Sequence, residues 1–251
     1  MAKQTRAGGP GSRVLTRGVY ARALAELCAR DADLGRVVVR CGVPPLWERE
    51  PGFPALVHVI LEQQVSLASA LAAYVRLTAA ASPLTPRKFL AFDDAALRRF
   101  GFSRQKAAYA RELARAMVAG EFDPRALEGM TDEEARAALV RLKGVGPWTA
   151  DVYLLRSLLR ADAFPAGDLA LLVAAERVKR LPARPTPDEL TALAEAWRPW
   201  RAVAARILWQ HYLSGARPAS AAARPAPALP VSAPARVVSA PAPVTRRRRA
   251  R

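Results

Sequence analysis

A glycine-rich turn before a helix start is the first place where the residue types could do chemistry. Lys143-Gly144-Val145-Gly146 contains two glycines, which can adopt positive φ and bring bare backbone amides close to a partner. Pro147 follows, and proline is tolerated in the first turn of a helix. The unpaired N–H groups of that turn would face outward beside the glycines. Such a helix end binds phosphate.

Asp168 is the second candidate, a carboxylate that follows a loop and precedes an apolar helical stretch. The dipole at a helix N-terminus favours the ionised form of a carboxylate, and a fixed negative charge stabilises a cation that develops during a reaction. Aspartate is also one of the commonest N-cap residues, so a purely structural cap is the alternative interpretation. On this residue alone, we favour the cap.

Hydrophobic spacing predicts the helices that position these residues and predicts no strand. Thr131 and Glu134 form a capping box before a helix that ends at the glycine turn, and a second helix is predicted over Trp148 to Arg160. Further helices are predicted over residues 19–40, 53–63, 66–80 and 103–118, from Thr85, from Asp93, over 168–180, from Thr186 to Trp197, and after Pro199. The fold class is therefore all-α.

Composition limits the class of protein. The chain has 251 residues, of which 51% are hydrophobic, enough for one large or two small domains. Its formal charge of +17 favours a polyanionic partner, although a basic protein from a GC-rich genome is the alternative. Cys28 and Cys41 are too few for a disulfide framework or a four-thiolate metal site. No apolar stretch suggests a membrane span or a signal peptide, so we expect a cytoplasmic location, at the nucleoid, and no membrane partner.

The two ends of the chain differ from the middle. Residues 1–13 are polar and basic, and we interpret them as a mobile arm that precedes a domain over residues 14–214. Residues 215–251 form an Ala/Pro/Arg-rich tail with seven prolines, eight arginines and no acidic residue, which predicts disorder. Its arginines would lie along a phosphate backbone without reading sequence. A neutral low-complexity extension is the alternative.

Several blocks of sequence carry a resemblance to a known family. The run Leu142 to Ala150, LKGVGPWTA, and the run Phe164 to Leu171, FPAGDLAL, resemble the helix-hairpin-helix and catalytic-aspartate signature of the DNA glycosylase superfamily. They are most similar to the 3-methyladenine DNA glycosylase II group. Agreement extends to Glu62–Ser66, Phe102–Ala107 and Trp197–Arg201, so it covers about residues 52–213. Blocks in this order are far more specific than a single glycine hairpin.

The resemblance implies a two-lobed helical DNA glycosylase fold with the DNA site in the cleft between the lobes. The helix-hairpin-helix motif would lie on one side of that cleft, with Asp168 at its floor as the catalytic residue. Cleavage of an N-glycosidic bond makes an oxocarbenium-like sugar, which a fixed carboxylate stabilises. One carboxylate suffices here, because an alkylated purine already carries positive charge and leaves without much protonation.

Position 148 predicts how the reaction ends. Bifunctional relatives that resemble endonuclease III have a lysine there, which forms a Schiff base and leads to strand cleavage. This chain has Trp148, which predicts a monofunctional enzyme that leaves an abasic site. The four-cysteine run of an iron–sulfur cluster is absent, and we expect no cofactor and no metal. Lys143 replaces a proline common in the family hairpin, and Glu62 stands where many relatives have glycine.

The resemblance also assigns the residues that would bind DNA and base. Gln64 occupies the position of the side chain that fills the gap left by a flipped nucleotide, although a local hydrogen bond at a helix end is as good an account of it. Trp148 and Trp209 match positions of the base pocket, with Tyr153 as a weaker member. The predicted DNA contacts at the hairpin are Lys143, Gly144, Val145, Gly146 and Thr149.

The function expected from this resemblance is hydrolytic excision of alkylated bases, such as 3-methyladenine and 7-methylguanine, in base excision repair. The partner would be double-stranded DNA containing damaged bases, bound by a monomer. One alternative is a glycosylase for oxidised or deaminated bases. Another is a non-catalytic helix-hairpin-helix protein that binds DNA and excises nothing. His58 and His211 are isolated in the sequence and suggest no metal or nucleophile constellation.

Overall fold

The structure, a computed structural model, describes residues 13–215, and these residues form helices joined by loops. The only strand-like pairing among them is a single bridge between Val14 and Arg160. The α-helices are α1 (Arg17–Arg30), α2 (Ala32–Cys41), α3 (Phe53–Glu62), α4 (Leu67–Ala80), α5 (Pro86–Leu90), α6 (Asp94–Phe100), α7 (Arg104–Ala119), α8 (Asp132–Val140), α9 (Pro147–Arg156), α10 (Leu169–Val178), α11 (Pro187–Ala194) and α12 (Arg201–Gly215). Short 3-10 segments cover Pro124–Gly129 and Glu195–Trp197. The predicted all-α class is confirmed.

Side-chain caps explain where most helices begin. The capping boxes predicted at Thr131 and Thr186 are both present, each with its glutamate three residues later bonded to the cap amide. The helix predicted over residues 19–40 is divided at Asp31, whose carboxylate accepts hydrogen bonds from the amides of Asp33 and Leu34 and so starts α2. A capping aspartate within an apolar repeat thus ends one helix and begins the next.

The helix after the hairpin is shorter than predicted. It ends at Arg156 rather than near Arg160, and Leu159 has a φ of 54°, in the left-handed region. The buried Arg160 side chain then donates to the carbonyls of Leu127 and Met130. This guanidinium needs acceptors in the interior, and a helical continuation would carry it elsewhere.

The helices pack in two groups. In the first, α3 packs against α4, α7 and α9, and α9 packs against α8. In the second, α12 packs against α1, α2 and α10. α9 carries the hairpin at its N-terminus and α10 begins after Asp168, so the hairpin and the candidate carboxylate belong to different groups. The predicted arm and tail lie outside the described residues, except for Arg13 and Gly215.

Candidate functional site

Asp168 is the N-cap of α10. Its Oδ1 atom accepts hydrogen bonds from the amides of Ala170 at 2.9 Å and Leu171 at 3.1 Å. These two bonds fix the carboxylate at the helix end, where the dipole stabilises a negative charge. The side chain is only partly buried, so a substrate can reach it.

Two indoles complete the surroundings of Asp168. Trp148 donates its Nε1–H to Oδ2 at 2.8 Å, and Trp209 donates its Nε1–H to Oδ1 at 3.2 Å. Trp148 comes from α9 and Trp209 from α12, so the structure brings the three residues together from both groups of helices. The indoles meet the carboxylate with their N–H edges.

All four donors to Asp168 are neutral. Within residues 13–215, no lysine, arginine or histidine nitrogen lies within the 4 Å ion-pair distance of its carboxylate. Neutral donors orient an anion without cancelling its charge, whereas a bound cation would do both. No donor to Asp168 brings a positive charge, and an ionised carboxylate held in this way can stabilise an adjacent cation.

The glycine turn has the geometry that an anion site requires. Gly144 has a φ of 85°, and a Cβ atom at this position would overlap the ring of Tyr109. Gly146 is the N-cap of α9 and supplies no side chain. The amides of Gly146, Trp148 and Thr149 donate to no acceptor within the described part of the chain. Lys143 is exposed beside them.

Two of the predicted DNA contacts face the interior instead. Val145 is 4% exposed and Thr149 is 2% exposed. The amide of Val145 donates to the carbonyl of Leu142 and closes the turn. The Val145 side chain therefore anchors the hairpin in the core, and the Thr149 hydroxyl is not available to DNA. Any DNA contact from Thr149 would come from its backbone.

Gln63 links the hairpin to Gln64, the residue predicted to fill the gap left by a flipped nucleotide. The sequence motifs assign no role to Gln63. Its Nε2 donates to the carbonyl of Gly144 and to the Thr149 hydroxyl, both at 2.9 Å. The next residue, Gln64, is exposed and has a φ of 54°. This strained conformation directs Gln64 outward from the same junction. The only sequence signal was the polar pair at the end of an apolar helix.

Tyr153 does not line a pocket. Its side chain is 0% exposed, and its hydroxyl accepts a hydrogen bond from the amide of Gly52 at 3.0 Å. The structure thus corrects the weaker pocket assignment. Tyr153 contacts the residue that precedes α3, and it belongs to a run of buried residues that extends along most of α9.

A second carboxylate, Glu62, is buried beside the site. Arg49 donates to its two oxygens at 2.5 and 3.1 Å, and Arg156 donates at 3.3 Å. Burial alone would raise the pKa of Glu62, but Arg156 and Arg49 hold it below its usual range. Burial lowers the pKa of the neighbouring His58 to about 3, so its ring, stacked on Tyr74, stays neutral.

The described residues contain no cluster of metal-binding side chains. Between residues 13 and 215, no group of three His, Cys, Asp or Glu side chains could hold a metal ion. No helix in that range is long and apolar enough to cross a membrane. Cys28 and Cys41 are both free thiols.

Known proteins that match this chain in sequence have related names. A DNA-3-methyladenine glycosylase of Bacillus subtilis is 32% identical over 106 residues, which cover 42% of this chain and 35% of that protein. The chain therefore spans about a third of the length of that relative. An alkylbase DNA glycosidase-like protein, mag2, of Schizosaccharomyces pombe is 28% identical over 199 residues, covering 76% of this chain and 93% of mag2.

The fold has a solved counterpart. The S. pombe 3-methyladenine DNA glycosylase Mag1, in complex with abasic DNA, aligns with a TM-score of 0.71 and 28% identity, over 75% of this chain and 95% of that one. The predicted helix-hairpin-helix DNA glycosylase fold is thus confirmed. The family of HhH-GPD superfamily base excision DNA repair proteins matches residues 57–199, more than half of the sequence. The chain belongs to the HhH-GPD superfamily of base excision DNA repair proteins.

Proposed function

We propose that this protein is a monofunctional DNA glycosylase that hydrolyses the N-glycosidic bond of alkylated bases in double-stranded DNA. The observation that carries the proposal is Asp168, a carboxylate fixed by four neutral donors and free of ion pairs in the described structure. These donors orient the carboxylate and bring no positive charge of their own. The names of the relatives, 3-methyladenine and alkylbase glycosylases, support the substrate class.

The chemistry follows from the charge on Asp168. As the glycosidic bond lengthens, the sugar becomes oxocarbenium-like, and the carboxylate stabilises that cation and orients the attacking water. An N-alkylated purine carries positive charge before the bond breaks. It leaves as a neutral base, so no general acid is required from the protein.

The product of this reaction is an abasic site. By the family resemblance, Trp148 stands where bifunctional relatives have the Schiff-base lysine, and its indole donates a hydrogen bond to Asp168. An indole nitrogen cannot form a Schiff base. Lys143, the nearest lysine in sequence, is the first residue of the hairpin and is exposed to solvent. We therefore expect no strand cleavage until alkali is added.

DNA binding would use the hairpin and Gln64. The unpaired amides at the start of α9 and the exposed Lys143 suit a phosphate of the backbone. Gln64 would fill the gap left by the extruded nucleotide. A single chain carries every part of this site, so we propose a monomer, acting on chromosomal DNA at the nucleoid in the cytoplasm.

A lesion panel tests the proposal. Duplexes that each contain 3-methyladenine, 7-methylguanine, hypoxanthine or 8-oxoguanine would be incubated with the protein, and released base would be measured before and after alkali. We expect release of the two alkylated bases, alkali-dependent strand breaks and no covalent adduct trapped by borohydride. Release of only hypoxanthine or 8-oxoguanine would identify a glycosylase for deaminated or oxidised bases. Binding without release of any base would identify a non-catalytic DNA-binding protein.

A further inference from the structure

We infer that Trp47, in the loop between α2 and α3, is a further wall of the base pocket and sets its preference for cationic purines. This inference rests on the proposed function and extends it to the selection of substrate. Neither the sequence motifs nor the family resemblance singles out this residue. The structure places it against Trp209, one of the two indoles bonded to Asp168.

The two indoles form a corner. The ring centroids of Trp47 and Trp209 are 6.3 Å apart, and their planes are inclined by 73°. This is the edge-to-face arrangement that aromatic rings prefer. Both side chains are partly exposed, and Trp209 is itself hydrogen-bonded to Asp168. A flat base stacked on one of these rings meets the other ring at its edge.

The backbone of Trp47 is strained. Its φ of 48° lies in the left-handed region, which is rare for a bulky residue. Such a conformation persists only where the surroundings hold it in place, and it is most often found at functional sites. The loop is not a glycine turn that adopts this geometry without cost. Contacts around the loop must therefore hold it in this conformation.

Buried arginines hold the loop on both sides of the strained residue. Arg156 donates its Nε–H to the carbonyl of Trp47 at 3.2 Å, and Arg206 donates to the carbonyl of Leu46 at 3.0 Å. The amide of Arg49 donates to the carbonyl of Arg156 at 2.9 Å. These three hydrogen bonds fix residues 46–49 to α9 and α12. A loop that served only to join two helices would not require them.

The arginines that hold this loop are themselves costly to bury. Burial lowers the pKa of Arg156 and of Arg206 to about 10 each, because the interior disfavours the charged form. Glu62 compensates Arg156, while Arg206 is held by backbone carbonyls. Arg156, Arg206 and the strained backbone of Trp47 thus all hold one partly exposed indole in place. A role for that indole beside Trp209 explains why two buried arginines and a strained residue are found in this loop.

The chemistry of the corner favours a cationic ring. An indole face attracts a cation, and a desolvated contact of this kind changes an affinity by about 2- to 30-fold. A base methylated at a ring nitrogen is such a cation, whereas hypoxanthine is neutral. Two indoles at an angle can contact a single purine together. We therefore expect Trp47 to accelerate excision of N-methylated purines more than excision of neutral bases.

Two substitutions separate aromatic character from bulk. Trp47→Phe keeps a ring, and Trp47→Leu keeps apolar volume without one. Single-turnover excision rates would be measured with enzyme in excess on duplexes containing 7-methylguanine and hypoxanthine. We expect Trp47→Leu to lower the 7-methylguanine rate about tenfold more than the hypoxanthine rate, and Trp47→Phe to restore most of the difference. Glu48→Ala, a neighbour in the same loop, is the control that leaves both rates unchanged.

Combination with Trp209 tests whether the two indoles act together. We expect the selectivity losses of Trp47→Leu and Trp209→Leu to be non-additive in the double variant, because one base contacts both rings. Equal losses on the two lesions in Trp47→Leu, with an unchanged thermal midpoint, would overturn the inference. So would strict additivity in the double variant. A midpoint lowered equally in the Phe and Leu variants, with unchanged selectivity, would assign Trp47 to packing and overturn the inference as well.

A binding measurement separates this inference from the proposed function. If the wild-type protein releases no base from any duplex, the proposed function fails. The corner is then tested by titrating the protein at pH 6 with the nucleoside 7-methylguanosine, whose ring is cationic, with neutral guanosine as control, and following tryptophan fluorescence. Selective quenching by 7-methylguanosine that Trp47→Leu abolishes and Trp47→Phe retains would support the base corner. Identical titrations of wild type and Trp47→Leu would overturn it.

Discussion

Asp168 and Glu62 are two carboxylates in opposite electrostatic situations. Glu62 is 7% exposed and holds two arginines, and their charges offset its own. Asp168 is partly exposed and accepts only neutral N–H groups. Both carboxylates are oriented by several hydrogen bonds, so geometry does not distinguish them. We infer that a carboxylate is available for chemistry when its hydrogen-bond donors fix its orientation and carry no positive charge that neutralises it.

The contrast between the two carboxylates predicts a reciprocal pattern of losses. Removing the charge of Asp168 should impair activity and spare the fold, whereas removing the charge of Glu62 should impair the fold. A protein in which both substitutions acted alike would contradict the distinction.

Asp168→Asn should lower the single-turnover excision rate by at least about 10²- to 10³-fold, because the sugar cation loses its counter-charge. Asparagine caps helices as well as aspartate, so the thermal midpoint and the affinity for DNA should stay near wild type. The rate would be measured on a 7-methylguanine duplex. Asp93→Asn, a substitution at the N-cap of α6, is the matched control and should retain full activity. Near-normal turnover by Asp168→Asn would remove the catalytic assignment.

Glu62→Gln should lower the free energy of unfolding by about 3–5 kcal/mol, because Arg49 and Arg156 would be left buried without their partner. Denaturant unfolding would measure this loss. Glu112→Gln is the matched control, since its exposed pair with Arg115 contributes about 1 kcal/mol or less. Equal effects of the two substitutions would mean that water reaches the Glu62 cluster.

His58 should make stability depend on pH. Its pKa is about 3 in the folded protein and about 6.5 in an unfolded chain, so the unfolded state alone gains a proton as the pH falls below 6.5. The stabilising contribution is complete above pH 6.5 and is lost toward pH 3, at up to about 1.4 kcal/mol per pH unit. His58→Phe should therefore approach the stability of wild type as the pH falls from about 7 to about 5. Tyr74→Phe, which keeps the stacked ring, should retain the wild-type slope, and parallel curves for wild type and His58→Phe would contradict the assignment.

Gln63→Glu should weaken the link between the Gln64 loop and the hairpin. It replaces an amide donor by a carboxylate opposite the Gly144 carbonyl, a loss of about 1–2 kcal/mol. Fluorescence of 2-aminopurine next to the lesion would report reduced base flipping, while binding to undamaged duplex should change little. Thr149→Val removes the second acceptor, and the double variant should show a coupling of the two losses. Additive losses would show that Gln63 positions nothing through Thr149.

Lys143→Ala should have the smallest effect. It removes one exposed positive charge beside the hairpin, so the slope of log K against log salt should flatten by about 0.9. Excision at saturating enzyme should stay unchanged, since the described structure shows no hydrogen bond or ion pair between Lys143 and Asp168. Lys143→Arg retains the charge and should retain the slope. An unchanged slope in Lys143→Ala would place the phosphate contact on backbone amides alone.

Much of the fold was predictable because helix starts are local signals. The capping boxes at Thr131 and Thr186 depend on residues three positions apart, and the structure confirms both. The division at Asp31 was missed because apolar spacing continues on both sides of it, and only the side-chain bonds show that Asp31 caps a new helix. The bounds of α9 were missed for a similar reason. Arg160 leaves the helix to reach carbonyls about thirty residues earlier in the chain.

Only those site residues that belong to a sequence motif could be predicted. The motif brings Asp168 and Trp148 together, and the structure shows their proximity through a direct hydrogen bond. Burial of Val145, Thr149 and Tyr153 could not be predicted, because α9 is packed on nearly every side and its spacing does not mark an exposed face. The Glu62 cluster could not be predicted either. Its arginines are 13 and 94 residues distant in sequence.

The hydrogen bonds from Trp148 and Trp209 to Asp168 give the protein two built-in spectroscopic labels. The chain contains five tryptophans, so a ¹H–¹⁵N spectrum should contain five indole signals, and single Trp→Phe substitutions would assign them. The two indole protons bonded to Asp168 should resonate downfield of a solvated indole. Their chemical shifts should change when a sugar or a base binds next to the carboxylate. Arrival of a nucleotide, bond cleavage and departure of product could then be followed at the proposed catalytic carboxylate, on ¹⁵N-labelled protein and DNA of natural structure.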